Sequence, residues 1–373
     1  MKQRMVLTRY LLGAIVAGAA LFVLPAAEGR PQMQTAPAPN TENAKVEPRA
    51  VKGSLADTVS EWAKAADHPE WLGYSVPAAN GERQVCCGEN WGNGSCGPCR
   101  LEGNEHGGSI NLRGQKVELE APHRMIVLLR ADARKIGKIR VVSESCSIDA
   151  GGLEVVWLAE VNAAESVRFL ERFVDSKEFD ERGGEHLGRD ALTAIALHGD
   201  PTADQALLAF TSADKPTSLR KESAFWAGEA RGAAGVTLLK GLARNDASPD
   251  VRAQVTFALS VSRESDAMDE MIRMAHEDSS SQVRGQALFW LAQKAGRKAT
   301  GTITGAIEND PDTEVKKKAV FALSQLPKDE GVPKLIEVAQ TNRNPEVRKQ
   351  AMFWLGQSND PRALDFFEKV LSK

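Results

Sequence analysis

The sequence has no surplus of charge of either sign. Its 47 Lys and Arg stand against 50 Asp and Glu, a formal net charge of −3 over 373 residues. Binding to nucleic acid calls for a concentrated basic face, so this balance argues against such a partner. The apolar run at 10–24 has 15 residues, short of the roughly 20 that a membrane-spanning helix needs. Catalytic signatures are missing as well: there is no G-x-S-x-G elbow, no phosphate-cradling glycine loop and no H-E-x-x-H pair. The segment 187–373 contains no cysteine, and the whole chain has six histidines. No cofactor or metal is implied. What remains is an apolar fraction of 42% and a charged fraction of 26%, ordinary values for a soluble folded protein.

The N-terminus carries the first positive signal. Lys2, Arg4 and Arg9 precede "YLLGAIVAGAALFVL", and small residues "PAAEG" follow. A basic start, a short apolar run and an Ala/Gly-rich end describe a secretory signal peptide over 1–27, cut after Ala27 or Gly29. The alternative is a retained anchor, which would bring membrane contact. A cleaved signal implies a periplasmic or secreted protein, in a compartment where thiols tend to be oxidised. Residues 28–54 are polar and rich in Pro and Ala, with too few large apolar side chains to offset their ordering entropy. They are expected to be a disordered linker.

Residues 55–160 read as a small cysteine-bearing α+β or all-β domain. The segments "LGYSVP", "QKVELE", "RMIVLLRA" and "IGKIRVVSE" look like strands, with "ARKIGK" as a hairpin turn. Trp62, Trp71, Tyr74 and Trp157 are its candidate core. Cys86, Cys87, Cys96 and Cys99 cluster in 84–108, and Cys146 lies alone in "SESCSID". Structural disulfides suit a loop-rich segment outside the cytoplasm. Thiol–disulfide exchange at Cys96 and Cys99 is a second reading, because "CGPC" matches the thioredoxin active-site tetrapeptide. Neither an apolar strand before it nor a helix after it is evident, however. Metal binding with His106 is a third.

The C-terminal half repeats itself. Leu187, Leu219, Val251, Val283, Val315 and Val347 are spaced by 32 residues. A basic residue follows five of them: Arg220, Arg252, Arg284, Lys316 and Arg348. Five residues earlier stand Asp214, Asp246, Asp278 and Asp310, then Asn342. Each unit holds two segments with apolar residues three and four apart, hence two amphipathic helices. Turns such as "NDASPD" and "TNRNPE" supply the residues that cap the next helix. One helical hairpin cannot bury its apolar face alone, so the units must stack. The fold expected for 161–373 is therefore an α-solenoid closed by capping helices.

These columns, with the small residues Ala287, Ala319 and Ala351, resemble the HEAT repeat family, in particular the short subtype of phycobilisome lyase-like proteins. The resemblance implies that Asp214, Asp246, Asp278 and Asp310 form a hydrogen-bond ladder with Arg220, Arg252, Arg284 and Arg348. It also implies that the Val-Arg helices line a concave surface. Enzymes occur among HEAT-repeat proteins. Deoxyhypusine hydroxylases hold two irons with several His-Glu pairs, and here His276-Glu277 is the one such dipeptide. Bilin lyase or isomerase chemistry finds no Cys, His and carboxylate set on the inner helices either. An enzymatic role is thus disfavoured.

Aromatics mark the same helices. Phe225, Phe257, Phe289, Phe321 and Phe353 stand six residues after the anchoring apolar residue. Trp226, Trp290 and Trp354 follow in alternate units, with Ala258 and Ala322 between them. On a helical wheel the Trp position falls in the core sector, where large beside small residues interdigitate. The Phe position lies about 145° from the centre of that sector. These five rings either form an exposed stripe that binds a protein or peptide, or lie in grooves between adjacent inner helices under Lys and Gln stems. The combined expectation is a secreted or periplasmic, non-catalytic scaffold binding a partner through its Phe-lined concave face.

Overall fold

A computed structural model describes residues 39–79, 99–102, 123–174 and 187–372, all within one compact unit that begins at Thr35. The expected signal peptide, Cys86, Cys87, Cys96, His106 and "QKVELE" lie outside the described residues.

The first part of the unit is α+β. Strands β2 (Lys45–Arg49), β3 (Glu70–Pro77), β5 (Arg124–Asp132), β6 (Lys135–Ser143) and β8 (Glu154–Leu158) form a sheet in the order β2-β8-β3-β5-β6. A smaller sheet joins β1 (Thr41–Glu42), β7 (Ile148–Asp149) and β4 (Cys99–Arg100). Successive side chains of a strand point to opposite faces. Accordingly Leu72, Tyr74 and Val76 of β3, with Val127 and Leu129 of β5, face helices α1 (Leu55–Ala65) and α2 (Ala163–Glu171). Trp71, Ile126, Leu128, Val155 and Trp157 face the small sheet. With both faces covered, the strands read as nearly continuous apolar runs.

One expectation is corrected here, and the expected hairpin is present with its turn confined to the first two residues of "ARKIGK". Residues 45–49 of the supposed linker are strand β2, in parallel register with β8 from Lys45↔Glu154 to Arg49↔Leu158. Their order comes from backbone pairing with β8, which side-chain composition does not register, and Pro48 is tolerated because β2 is an edge strand. The β5–β6 hairpin turns at Ala133 and Arg134, which take positive φ of 47° and 65°, while Gly137 sits within β6. Two consecutive left-handed residues match the twist of a two-residue hairpin.

The second part is the α-solenoid. Helices α5 (Thr217–Ala230), α7 (Pro249–Val261), α9 (Ser281–Ala295), α11 (Thr313–Ser324) and α13 (Pro345–Gln357) start once every 32 residues. They alternate with α6 (Gly232–Asn245), α8 (Asp266–Glu277), α10 (Thr300–Asn309), α12 (Lys328–Thr341) and α14 (Pro361–Leu371). The anchors Leu219, Val251, Val283, Val315 and Val347 are buried, as are Val255, Ala287, Ala319 and Ala351 one turn on. The odd-numbered helices pack closely on one another and the even-numbered ones less so, which makes the odd layer the inner side of the array.

The two parts share a core. Helices α3 (Leu187–Leu197) and α4 (Thr202–Phe210) contribute Leu192, Ile195 and Leu207 to the same cluster as Trp62, Tyr74 and Leu158. The 160/161 boundary drawn from sequence therefore does not separate two cores. Trp62, Trp71, Tyr74 and Trp157 are all buried.

Candidate functional site: the inner aromatic face

Helices α7, α9 and α11 each begin at a turn whose geometry the Asp column sets. Asp246, Asp278 and Asp310 accept a hydrogen bond from the backbone N–H two residues on, at 2.8, 2.8 and 2.9 Å. The same carboxylates receive an arginine from the preceding unit. Arg220 reaches Asp246 at 2.7 Å, Arg252 grips Asp278 with two prongs at 2.8 and 3.0 Å, and Arg284 grips Asp310 at 2.7 and 3.0 Å. The bonds to Asp278 and Asp310 raise the pKa of Arg252 and Arg284 above the ordinary guanidinium value. Arg252 and Arg284 also donate to the carbonyls of Asp246 and Asp278, at 2.8 and 2.9 Å.

Both ends of the column depart from this pattern. Asp214 pairs with its neighbour Lys215 at 3.7 Å, because the residue 26 places before it is Gly188. Arg348 donates to the carbonyls of Asn342 and Arg343, at 2.8 and 3.1 Å.

With the turns fixed, the aromatic columns fall into one ladder. Phe225 stacks on Phe257 at 5.9 Å with ring planes 10° apart, and Phe289 stacks on Phe321 at 5.8 Å and 5°. Trp290 bridges the two stacks, 4.7 Å from Phe257 and 4.8 Å from Phe289. Trp354 does the same for Phe321 and Phe353, at 4.8 and 5.0 Å. Offset and edge-on pairs of this kind add about 0.5–1.5 kcal/mol each beyond area burial. Phe225, Phe257, Phe289 and Phe321 are half-buried against neighbouring inner helices. Phe353 is 54% exposed. The rings thus combine the two arrangements open from sequence: stacked between units, yet uncovered on one edge.

Trp226 is buried, as the core sector requires; Trp290 and Trp354 are half-buried, packing against the core and also joining the ladder. Each leans on the Phe of the preceding unit, where the residue after Phe is Ala258 or Ala322 rather than Trp. The 64-residue echo of "FW" is the period of this bridging.

An open pocket of about 360 Å³ lies between α5, α7 and α9 on this face. Phe257 and Trp290 line it, together with Gln254, Gln282, Gln286, Lys221 and Asp250. Asp250 already accepts from the Gln282 amide at 3.0 Å.

Residues 302–373 match the family of HEAT repeats. The HEAT-like array also resembles solved structures. These include the complex of CpcE and CpcF of phycocyanin lyase from Nostoc sp. PCC7120 (23% identity over 42% of this chain and 99% of that one, TM-score 0.32). The YibA protein of E. coli is similar at 21% identity, over 56% of this chain and 79% of that one, with a TM-score of 0.35. Human deoxyhypusine hydroxylase in complex with glycerol is similar at 17%, over 57% and 80%, with a TM-score of 0.30. At these identities the likeness concerns the fold alone. No curated protein matches the sequence.

Away from the aromatic face, Cys99 and Cys146 are both disulfide-bonded. Each is 1% exposed and packs with Trp71, Leu101 and Trp157. Where the array meets the sheet lies a polar cluster that no sequence motif announced. The Ser166 hydroxyl sits 2.9 Å from Tyr74 Oη and 2.9 Å from His198 Nε2, with all three residues buried. Burial lowers the His198 pKa to about 4 and raises that of Tyr74 above its ordinary value. Arg231 donates to the His198 carbonyl and holds Asp204 at 2.7 Å, tying α6 to the joint.

Proposed function

We propose that this chain is a non-catalytic scaffold that docks an extended segment of a partner protein along its odd-numbered helices, outside the cytoplasm. The observation that carries the reading is the aromatic ladder. Half-covered rings run through every repeat from Phe225 to Phe353, edged by Gln254, Gln286 and Lys221 rather than sealed under a further layer. A partially uncovered apolar stripe with a polar border is the usual form of a recognition surface. The basic and apolar N-terminal segment and the disulfide-bonded Cys99 and Cys146 support the location. A thiol–disulfide role for Cys96 and Cys99 is the weaker reading. Cys99 is buried on a strand, whereas a reactive thiolate needs access and a stabilising helix N-terminus.

The test is selection of a displayed random-peptide library on the purified chain. Enriched peptides should bind the native protein and lose affinity with Gln254→Arg or Gln286→Arg, two surface changes beside the ladder. Failure to enrich any peptide, or binding indifferent to both changes, would overturn the proposal. For the location, residues 1–54 fused to a reporter that matures only under oxidising conditions should yield active reporter.

A further inference from the structure

The array contains the same aromatic corner twice. Phe257 meets Trp290 at 4.7 Å and 42°, and 64 residues later Phe321 meets Trp354 at 4.8 Å and 37°. The rings agree and the rims do not. Around the first corner stand Gln254, Gln282 and Gln286, with Lys221 and Asp250. The positions 64 residues on from Asp250, Gln254, Gln282 and Gln286 hold Glu314, Lys318, Glu346 and Gln350. At that second corner Lys317 pairs with Glu314 at 3.0 Å. The Lys318 stem crosses Gly285 so closely that a Cβ there would lie 2.3 Å from its Cδ. The pocket opens at the corner edged with amides.

We propose that the corner between α7 and α9 is a subsite for an uncharged, proline-bearing stretch of an extended chain; this rests on the docking role above and specifies its ligand. Charge comes first. Lys221 and Asp250 oppose each other and Asp250 is already engaged by Gln282, so a charged side chain would shed water without gaining an unopposed partner. Hydrogen bonding comes second. A primary amide offers two donors as well as acceptor lone pairs, which suits a backbone whose carbonyls are all free. The polyproline II helix is such a backbone, having no internal hydrogen bonds, and aromatic-lined grooves are its usual recognition surface.

Size and spacing agree. About 360 Å³ is near the lower end of the roughly 300–1,000 Å³ of ligand pockets. That is room for a ring and its flanking peptide groups, and too little for a helix about 10 Å across. Adjacent packed helices lie about 8–10 Å apart, close to three residues of polyproline II at about 3.1 Å each. A Pro at every third position would therefore keep step with successive odd helices.

The experiment titrates the full chain, by fluorescence anisotropy, into labelled peptides of Pro-Pro-Ala, Glu-Lys-Ala and Ser-Ala repeats. A labelled β-linked oligoglucoside, whose hydroxyls also suit amides, is the fourth probe. The Pro-Pro-Ala peptide should bind about tenfold more tightly than the other three. Gln254→Lys or Gln282→Glu, which give this corner the residue types of the second, should remove that preference with an unchanged thermal midpoint. Preference for the charged peptide or the oligoglucoside, no binding of Pro-Pro-Ala, or indifference to both variants would overturn the inference. If library-selected peptides bind this face but carry no excess of proline, the subsite assignment fails while the docking role stands. If the library yields no binder, both fail.

Discussion

Arg284 and Asp310 are 26 residues apart in sequence and joined by two parallel hydrogen bonds, Nε to Oδ2 at 2.7 Å and Nη2 to Oδ1 at 3.0 Å. The pair ties one repeat to the next. It is nearly buried, the side chains being 10% and 5% exposed. Removing either partner leaves a charge without its counterpart, so Arg284→Ala or Asp310→Ala should each cost about 3–5 kcal/mol. The double variant should cost clearly less than the sum. By contrast, Arg348→Ala gives up two bonds to carbonyls and should cost about 1 kcal/mol. Urea unfolding followed by circular dichroism measures all four. Equal losses at Arg284 and Arg348 would show that the ladder is not the stabilising element.

The aromatic ladder should be graded along its length. Phe257 is held between Phe225 and Trp290, so Phe257→Ala should destabilise the array by about 2–4 kcal/mol. Phe353 contacts Trp354 alone among the aromatic pairs and is 54% exposed. Its truncation should cost under about 1 kcal/mol. Thermal melts of the two variants decide the matter, and a larger loss at Phe353 would contradict the geometry.

Glycines in the array divide by what surrounds them. A Cβ on Gly228 would lie 2.1 Å from the Ala258 carbonyl oxygen, and one on Gly235 would lie 1.9 Å from that of Ala227. Both contacts are with backbone, so Gly228→Ala and Gly235→Ala should each destabilise by about 1–3 kcal/mol or more. Gly301 and Gly305 in α10 have nothing within 4 Å. Alanine there should raise stability by about 0.5–1 kcal/mol, because the unfolded chain loses freedom. Chemical denaturation midpoints should move in opposite directions for the two sets.

His198 should make the joint acid-sensitive. Its pKa is about 4 in the folded chain against 6.5 ordinarily, chiefly through burial, with Asp200 opposing and Arg231 reinforcing the shift. Between those values the unfolded chain binds more protons. Stability should therefore fall as pH drops from about 6.5 to about 4, by up to about 3 kcal/mol from this group. Comparing urea midpoints of wild type and His198→Gln at pH 7, 5.5 and 4.5 isolates the effect. Parallel slopes for the two proteins would mean that His198 does not titrate in this window.

Much of the solenoid was legible because its signals are local and repeated. The spacing of Val251, Val283, Val315 and Val347 announces each inner helix, and Asp246, Asp278 and Asp310 announce each turn. The site was legible in part. A helical wheel puts Phe257 opposite the core and Trp290 within it, but it describes one helix at a time. Whether Trp290 tucks inward or leans on Phe257 depends on the distance between two helices and on the small Ala258 beside it. The pocket rim was missed for the same reason, since Gln254, Gln282 and Gln286 come together from two helices. Strand β2 escaped notice because an edge strand is held by its neighbour's backbone. The Tyr74, Ser166 and His198 cluster spans 124 positions and follows no period.

The period, the helical hairpins and the residues that cap and tie their turns are written in the sequence alone, because each arises from side chains within a few residues of one another or at a fixed repeat. Only the tertiary structure decided that Phe and Trp alternate as rungs of one ladder, that amides gather at one of its two corners, and that the array shares its core with the sheet. Those outcomes turn on how closely neighbouring elements pack, and packing distance is a property of pairs of elements that no single segment encodes.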